Sequence, residues 1–209
     1  MNPSNAASLE ALREQIRLLE GGQRVCRRRR SSGVEVFDDL VQGLPCPGIV
    51  EICGEPGTGR MRLALSLVEV LTRRHQRVAW VDPLRQLFPP AVEAMGVDLR
   101  QLLVLQPAAE GTQAELWATE QLLRSGCFSL VICHLPDRRG SRRAGGHSWA
   151  RAAEQGECTA VIITRRPNRD VPAEIRLSVG EGRVVVLRDR GGRSGGARSL
   201  PVWPEGVGA

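Results

Sequence analysis

The sequence predicts an α/β fold: a mostly parallel sheet flanked by helices, with a C-terminal antiparallel hairpin and a preceding N-terminal helix. The first observation is that short apolar runs alternate with segments whose apolar residues recur every three or four positions, as in repeated βα units. The second is that this alternation stops near the C-terminus. There, two strand-like runs over 174–179 and 183–188 are separated only by Gly180-Glu181-Gly182, which is typical of a hairpin.

The elements follow from the spacing of apolar residues and from glycine and proline breaks. Strands are predicted over 49–53, 77–82, 102–106, 129–133 and 159–164, and helices over 62–74, 89–95, 113–124 and 148–157. A last strand is expected over 200–203, after a mobile glycine- and arginine-rich turn over 191–198. With 42% hydrophobic residues in 209, the chain can bury the core of one medium-sized domain.

The N-terminal segment reads as an amphipathic helix over 8–20, with Ser8 as its N-cap and Gly21-Gly22 at its end. A basic linker through Arg30 follows, so the predicted organisation is a helix and linker over 1–30 and a core domain over 31–209. Such a helix either folds back on its own domain or docks on a neighbouring protein. Its apolar stripe consists of Leu9, Leu12, Ile16 and Leu19.

The segment after the first core strand has the spacing of a phosphate-binding P-loop but lacks two of its chemical groups. A P-loop carries Lys and then Ser or Thr after its last glycine; here Arg60 and Met61 occupy those positions. The arginine keeps the charge without the shape of an ammonium, and Met61 offers no hard oxygen to Mg²⁺. The loop residues are Gly54, Glu55, Pro56, Gly57, Thr58, Gly59, Arg60 and Met61.

Two interpretations of this loop stay open at the level of sequence. The first interpretation is weak binding of ATP or phosphate without efficient hydrolysis, because the glycines of the loop allow the backbone path that surrounds a phosphate. The other is a tight strand-to-helix turn with no ligand. We therefore expect no required cofactor.

Composition narrows the function classes. All 29 basic residues are arginine, which excludes a P-loop lysine from elsewhere in the chain and any Schiff-base mechanism. The net charge of +6 permits association with nucleic acid, but an aromatic content of 3% argues against base stacking as a major mode of binding.

The six cysteines form no CxxC pair, and the spacing of Cys127, Cys133, His134 and His147 is poor for zinc, so no metal site is expected. Without a signal peptide or long apolar span, a cytoplasmic location and no membrane contact are expected.

Taken in order, these segments resemble the core of the RecA recombinase family, over roughly residues 8–203. The resemblance implies a RecA-like core, and the N-terminal helix is similar to the one with which RecA packs on the next subunit of its filament. The segments that carry it are 48–54 (GIVEICG) followed by Gly59, 78–82 (VAWVD), 94–98 (AMGVD), 102–107 (LLVLQP), 122–126 (LLRSG), 130–132 (LVI) and the hairpin over 175–188.

The same resemblance implies that the ATPase machinery is lost. His134 stands where the family ends its Walker B strand in Asp, and Leu84 where it has a catalytic Glu two residues after Asp82. Arg165 occupies the position of the Gln that senses the γ-phosphate. Together with Arg60 and Met61, these changes predict a protein that is not an active ATPase, because no carboxylate positions the attacking water.

Two basic segments stand at the positions of the family's DNA-binding loops, the second much shortened. Each predicts either a sequence-independent contact with DNA phosphates or a solvated basic loop. The arginines concerned are Arg138, Arg139, Arg142 and Arg143 in the first, and Arg165, Arg166 and Arg169 in the second.

Among shortened RecA-like proteins, this chain is most similar to the ImuA family. The resemblance implies an adaptor of damage-induced translesion synthesis and SOS mutagenesis that works with an ImuB-type Y-family-polymerase-like protein, indirectly with a DnaE-type polymerase, and with RecA. Two alternatives stay open. One is a SulA-like division inhibitor that binds FtsZ, and the other is an active DNA-dependent ATPase with unorthodox residues, for which Glu55 and Asp82 are the nearby carboxylates.

Overall fold

The computed structural model describes residues 28–107, 114–136, 146–191 and 195–200. The strands there are β1 (Arg28–Arg30), β2 (Leu44–Cys46), β3 (Gly48–Cys53), β4 (Val78–Val81), β5 (Leu102–Leu105), β6 (Leu130–His134), β7 (Thr159–Thr164), β8 (Ile175–Gly180), β9 (Arg183–Asp189) and β10 (Ala197–Ser199). The helices are α1 (Glu35–Val41), α2 (Arg60–Arg73), α3 (Pro89–Ala94), α4 (Ala114–Arg124) and α5 (Gly146–Gln155), with a 3₁₀ turn at Leu99–Gln101.

One sheet of eight strands has the order β10-β9-β8-β3-β7-β6-β4-β5. The strands from β8 to β5 in this order pair in parallel, and β9 and β10 continue the sheet in antiparallel fashion. The predicted architecture is therefore confirmed: an α/β fold with a mostly parallel sheet, flanking helices and a C-terminal antiparallel hairpin. Because β3 lies between β7 and β8, the loop after β3 opens beside the ends of both neighbours.

The sheet is buried between two apolar layers. On one face, α1, α2 and α3 contribute to a core that includes Phe37, Leu67 and Trp80. On the other, α4 and α5 contribute to a core that includes Trp149 and Ile162. Every residue of β3, β4, β6 and β7 is buried, which explains why these strands read as continuous apolar runs.

The last three residues of the segment predicted as a basic linker belong to the folded part of the chain. Arg28–Arg30 form β1, which pairs with β2, and α1 follows. The Arg29 guanidinium donates to the Asp189 carboxylate at 2.6 Å and to the Val41 carbonyl at 3.1 Å. A run of arginines looks like a solvated linker in sequence, but here its middle member is tied to β9.

The last strand at the C-terminal edge of the sheet lies earlier in the chain than the predicted strand over 200–203. The last described strand is β10, so the strand expected over 200–203 is misplaced at Leu200, and residues 201–203 lie outside the described part. The mobile turn expected over 191–198 is likewise wrong at Ala197 and Arg198, which pair with β9. All of β10 is exposed, so backbone pairing rather than an apolar pattern forms this strand, and the sequence carries no sign of it.

Candidate functional site

The loop over 54–61 joins β3 to α2 at the carboxyl end of the parallel strands. Gly54 donates its N–H to the carbonyl of Thr164 at the end of β7 at 3.3 Å, and a Cβ on Gly54 would clash with the carbonyl oxygen of Val179 on β8. The loop therefore begins wedged between its two neighbouring strands, where only glycine fits.

Two further glycines set the backbone path. Gly57 and Gly59 have φ values of +82° and +95°, in the left-handed region that other residues adopt with strain. Gly59 immediately precedes α2, and its carbonyl accepts the N–H of Leu63 at 2.9 Å. The strand–loop–helix frame predicted for a P-loop is thus present.

Arg60 is directed into the protein rather than towards solvent. Only 7% of it is exposed. Its Nη1 donates to the carbonyl oxygens of Gly54 at 2.6 Å and Thr164 at 2.9 Å. The charge at the lysine position of the loop is therefore engaged by backbone oxygens at the ends of β3 and β7.

His134 lies beside the guanidinium group of Arg60 in the interior of the protein. Its Nε2 lies 3.4 Å from Nη2 of Arg60, and 1% of the residue is exposed. Burial, reinforced by the charge of Arg60 and opposed by that of Asp82, lowers the pKa of His134 to about 4. The imidazole is therefore neutral at pH 7, and it stands beside the cation of Arg60.

The nearby carboxylate of Asp82 has a local structural role. Its Oδ1 accepts the N–H of Gln86 at 3.1 Å and its Oδ2 that of Leu87 at 2.9 Å. Asp82 is 1% exposed, whereas Leu84 is 40% exposed. The carboxylate thus closes the turn after β4, and the residue two positions later offers solvent an apolar side chain.

Met61, in the first turn of α2, packs against the core. It presents a thioether where a P-loop presents a hydroxyl, so this position supplies no hard ligand for Mg²⁺. Within the described ranges, no cluster of three or more His, Cys, Asp or Glu side chains could hold a metal ion.

Glu55 links the loop to the segment after β7. Its carboxylate forms an ion pair with Arg165 and lies 3.7 Å from Nε of Arg166. The three side chains are roughly half to three-quarters exposed, so this bridge contributes little to stability. The ion pair nevertheless joins the loop over 54–61 to the segment after β7. In the sequence, these two segments are related only through the resemblance to RecA.

A buried polar network connects β3 to β7, to β8 and to the segment after β7. Glu51, in the middle of β3, accepts the hydroxyl of Thr164 at 2.8 Å and the N–H of Asn168 at 2.7 Å, and it is ion-paired with Arg176 of β8. Sequence reasoning missed this network, although a glutamate in the middle of an apolar strand was a signal for it.

A shallow cavity of about 520 Å³ lies on the outer side of the loop. Its walls are the loop itself, the turn of the β8–β9 hairpin and Leu200. A Cβ on Gly59 would come within 3.1 Å of the Leu200 side chain, so the chain after β10 lies against the loop.

The remaining predicted site residues divide into two groups. Arg165, Arg166 and Arg169 are exposed in the segment after β7. The others lie outside the described residues: Leu9, Leu12, Ile16 and Leu19 of the predicted N-terminal helix, and Arg138, Arg139, Arg142 and Arg143 of the first basic segment. Cys53, Cys133 and Cys158 are buried. No helix in the described part of the chain has the length and apolarity needed to cross a membrane.

The sheet order and the strand–loop–helix frame define a RecA-like α/β protein. The model of the RecA N-terminal domain family matches residues 25–135, and the chain belongs to this family. The crystal structure of the RadB recombinase has the same fold, with a TM-score of 0.61 and 17% identity over 80% of this chain and 93% of that one.

Curated relatives match a shorter stretch. Protein RecA of Ruegeria pomeroyi is 38% identical over 92 residues, which is 44% of this chain and 26% of that protein. Protein RecA of Symbiobacterium thermophilum is 39% identical over a stretch of the same length and the same shares. The chain thus spans about a quarter of the length of the curated relatives that it matches.

Proposed function

We propose that this RecA-like protein does not hydrolyse ATP and acts by binding other proteins. The observation that carries the proposal is the arrangement of Arg60, whose guanidinium is bonded to the carbonyl oxygens of Gly54 and Thr164. A charge engaged in this way is not directed at the β and γ phosphates of a nucleotide.

The surrounding positions support the same conclusion. Met61 provides no magnesium ligand, Leu84 no base, and the carboxylate of Asp82 is bonded to two backbone N–H groups. The neutral imidazole of His134 adds no negative charge that could hold a metal ion. The fold frame is kept while each group that the chemistry needs is replaced or engaged elsewhere.

Within this class, we assign the chain to the ImuA-like adaptors of damage-induced translesion synthesis. The assignment rests on the resemblance of a short, basic RecA-like chain with altered nucleotide motifs to that family. The expected partners are an ImuB-type polymerase-like protein and RecA, with a DnaE-type polymerase reached indirectly. The predicted N-terminal stripe is the proposed docking element, in a cytoplasmic protein.

The first test measures ATP turnover by the purified full-length protein, with and without single-stranded DNA, beside RecA as a positive control. We expect no turnover above background. Magnesium-dependent turnover that is lost in Arg60→Ala would overturn the proposal and favour the active ATPase.

The second test is a pull-down of the full-length protein against ImuB, RecA and FtsZ. Leu12→Asp with Ile16→Asp should weaken capture of ImuB or RecA. Glu14→Gln, on the opposite side of the predicted helix, should leave it unchanged. Capture of FtsZ alone would assign the chain to the division inhibitors, and capture of none of the three would contradict the adaptor role.

A further inference from the structure

The chain after β10 runs towards the phosphate loop. Ser199 of β10 is opposite Arg183 of β9, and the N–H of Leu200 donates to the carbonyl oxygen of Gly182 at 2.7 Å. A Cβ on Gly59 would come within 3.1 Å of Cδ1 of Leu200, and the Leu200 side chain lies in the wall of the cavity beside the loop. The last described residue is therefore held at the mouth of this cavity.

The wall of the cavity is mainly apolar. Pro56 and Leu200 contribute side chains, and Gly57 and Gly182 contribute bare backbone. A Cβ on either glycine would meet no atom of the described residues within 4 Å, its chain neighbours aside, so both backbones face open space. Covering such a surface with an apolar group is favourable in proportion to the area removed from water.

The charges in the wall argue against an anionic ligand. Among the described residues, the wall carries two charged side chains, Arg62 and Glu181, whose charges are opposite in sign. A phosphate in the cavity would meet the carboxylate of Glu181 as well as the guanidinium of Arg62, so the wall has no net charge with which to select it. The occupant that fits is uncharged, largely apolar and able to donate a hydrogen bond to a carboxylate.

The chain itself carries such a group close to the cavity. Pro201, Val202 and Trp203 follow Leu200 in the sequence, and all three lie outside the described residues. Three residues of extended chain span at most about 11 Å, so Trp203 stays within reach of the cavity. Its indole combines a large apolar area with one N–H donor. A group tethered this closely has an effective concentration on the order of millimolar, so weak contacts are enough to hold it.

We propose that the indole of Trp203 occupies the cavity on the outer side of the 54–61 loop of its own chain. The ring covers the backbones of Gly57 and Gly182, and its Nε1–H donates to the carboxylate of Glu181. Burial of the ring against these groups stabilises the arrangement. The loop thus serves as a packing surface for the segment after β10. This inference goes beyond the proposed function and does not rest on the absence of ATP hydrolysis.

The test measures how fast a thiol in the cavity wall reacts with a maleimide in the full-length protein, without nucleotide. Thr58→Cys, in a Cys26→Ser background, replaces a hydroxyl of the wall by a thiol of similar shape. Adding Trp203→Ala should raise the rate at position 58 at least fivefold, because the indole no longer covers it. The exposed Cys127 is the internal reference, and its rate should not change. Equal rates at position 58 in the two proteins would overturn the proposal.

The matched control removes another exposed indole. Trp117 is 66% exposed on α4 and does not line the cavity. Trp117→Ala should leave the rate at position 58 unchanged, and a rise equal to that of Trp203→Ala would show a general loosening of the fold and contradict the proposal. Trp203→Phe keeps an aromatic ring and should retain most of the protection.

Dilution identifies the chain that supplies the indole. Protection by Trp203 of the same chain should stay constant over an about hundredfold range of protein concentration. Loss of protection on dilution would show that a second copy covers the cavity, and the proposal would be wrong.

Fluorescence gives a second measurement that does not depend on the stability of the alanine variant. In Trp117→Phe, Trp80 and Trp149 are buried, so Trp203 decides how much of the emission acrylamide can quench. We expect little quenching. A readily quenched component that disappears when Trp203→Phe is added would show the indole in solvent and would overturn the proposal. Because both measurements are made without nucleotide, ATP turnover would contradict only the proposed function.

Discussion

Nη1 of Arg60 donates to the carbonyl oxygen of Thr164 at 2.9 Å, which joins the first turn of α2 to the end of β7. The same nitrogen donates to the carbonyl of Gly54 at 2.6 Å. In this protein, the residue at the lysine position of the loop connects three elements of the fold and stabilises their junction.

The first prediction concerns the stability of that junction. Arg60→Ala should lower the free energy of unfolding by about 3 kcal/mol, because hydrogen bonds from a charged donor to one buried and one half-buried carbonyl are lost. Urea denaturation measures the change. Arg60→Lys, which can keep one of the two bonds, should lose less, and an alanine variant as stable as the parent would refute the structural role.

The second prediction concerns magnesium and nucleotide. Arg60→Lys with Met61→Thr should bind ATP at least tenfold more tightly in Mg²⁺ than in EDTA, because threonine supplies the missing hard oxygen. Turnover should stay at background, since Leu84 and His134 are unchanged. Binding of a fluorescent ATP analogue checks this.

Arg60→Lys with Met61→Leu is the matched control for this experiment, because leucine packs like methionine and offers no oxygen. It should show no magnesium dependence. If the unaltered protein already bound ATP in a magnesium-dependent way, the interpretation of Met61 would be wrong.

The third prediction concerns pH. The pKa of His134 is about 4 in the folded protein and about 6.5 in the unfolded chain, so the unfolded chain takes up the proton first. The contribution of the neutral His134 to the free energy of unfolding is fully present above pH 6.5. It falls by about 3 kcal/mol as the pH drops from 6.5 to 4. Free energies of unfolding at several pH values, compared with His134→Gln, isolate this effect from that of the carboxylates. Parallel pH profiles for the two proteins would contradict the burial of a neutral imidazole.

The fourth prediction concerns the buried pair of Glu51 and Arg176. Glu51→Leu should destabilise the fold by about 3–5 kcal/mol, because it leaves the Arg176 charge without its buried partner. Glu51→Leu with Arg176→Met should recover much of that loss. A double-mutant cycle measures the coupling, and additive effects of the two substitutions would show that the pair is not coupled.

The fifth prediction concerns the thiols. Burial raises the pKa of both Cys133 and Cys158 to about 12, whereas Cys127 is exposed. In a Cys26→Ser background, a maleimide at pH 7 should label Cys127 rapidly, and Cys133 and Cys158 only after denaturation. Mass spectrometry of the peptides gives the order, and rapid labelling of Cys133 in the native protein would contradict the buried strand β6.

Most of the fold could be predicted because the buried strands are continuous in sequence. β3, β6 and β7 are apolar runs of five or six residues, and the glycine-containing turn of the β8–β9 hairpin is a local signal. The elements that were missed lack such signals. β1 is a run of arginines and β10 is fully exposed, so both depend on pairing with a strand distant in sequence.

The candidate site could likewise be predicted from the sequence only in part. The identities of Arg60, Met61, Leu84 and His134 follow from the sequence, and so does the expectation that the loop is chemically altered. Where these side chains point did not follow, because burial and hydrogen bonding involve residues up to 104 positions apart. The link from Glu55 to Arg165 and the network around Glu51 have the same cause.

The α/β class, the position of the phosphate-loop frame and the absence of lysine from the whole chain can all be read from the amino-acid sequence. These are properties of residue type and local spacing. The bonds of Arg60 to the ends of β3 and β7, and the position of Arg176 opposite Arg188, are visible only in the folded chain. The physical reason is that the strand register, set by the packing of the whole sheet, brings together charges that are distant in the chain.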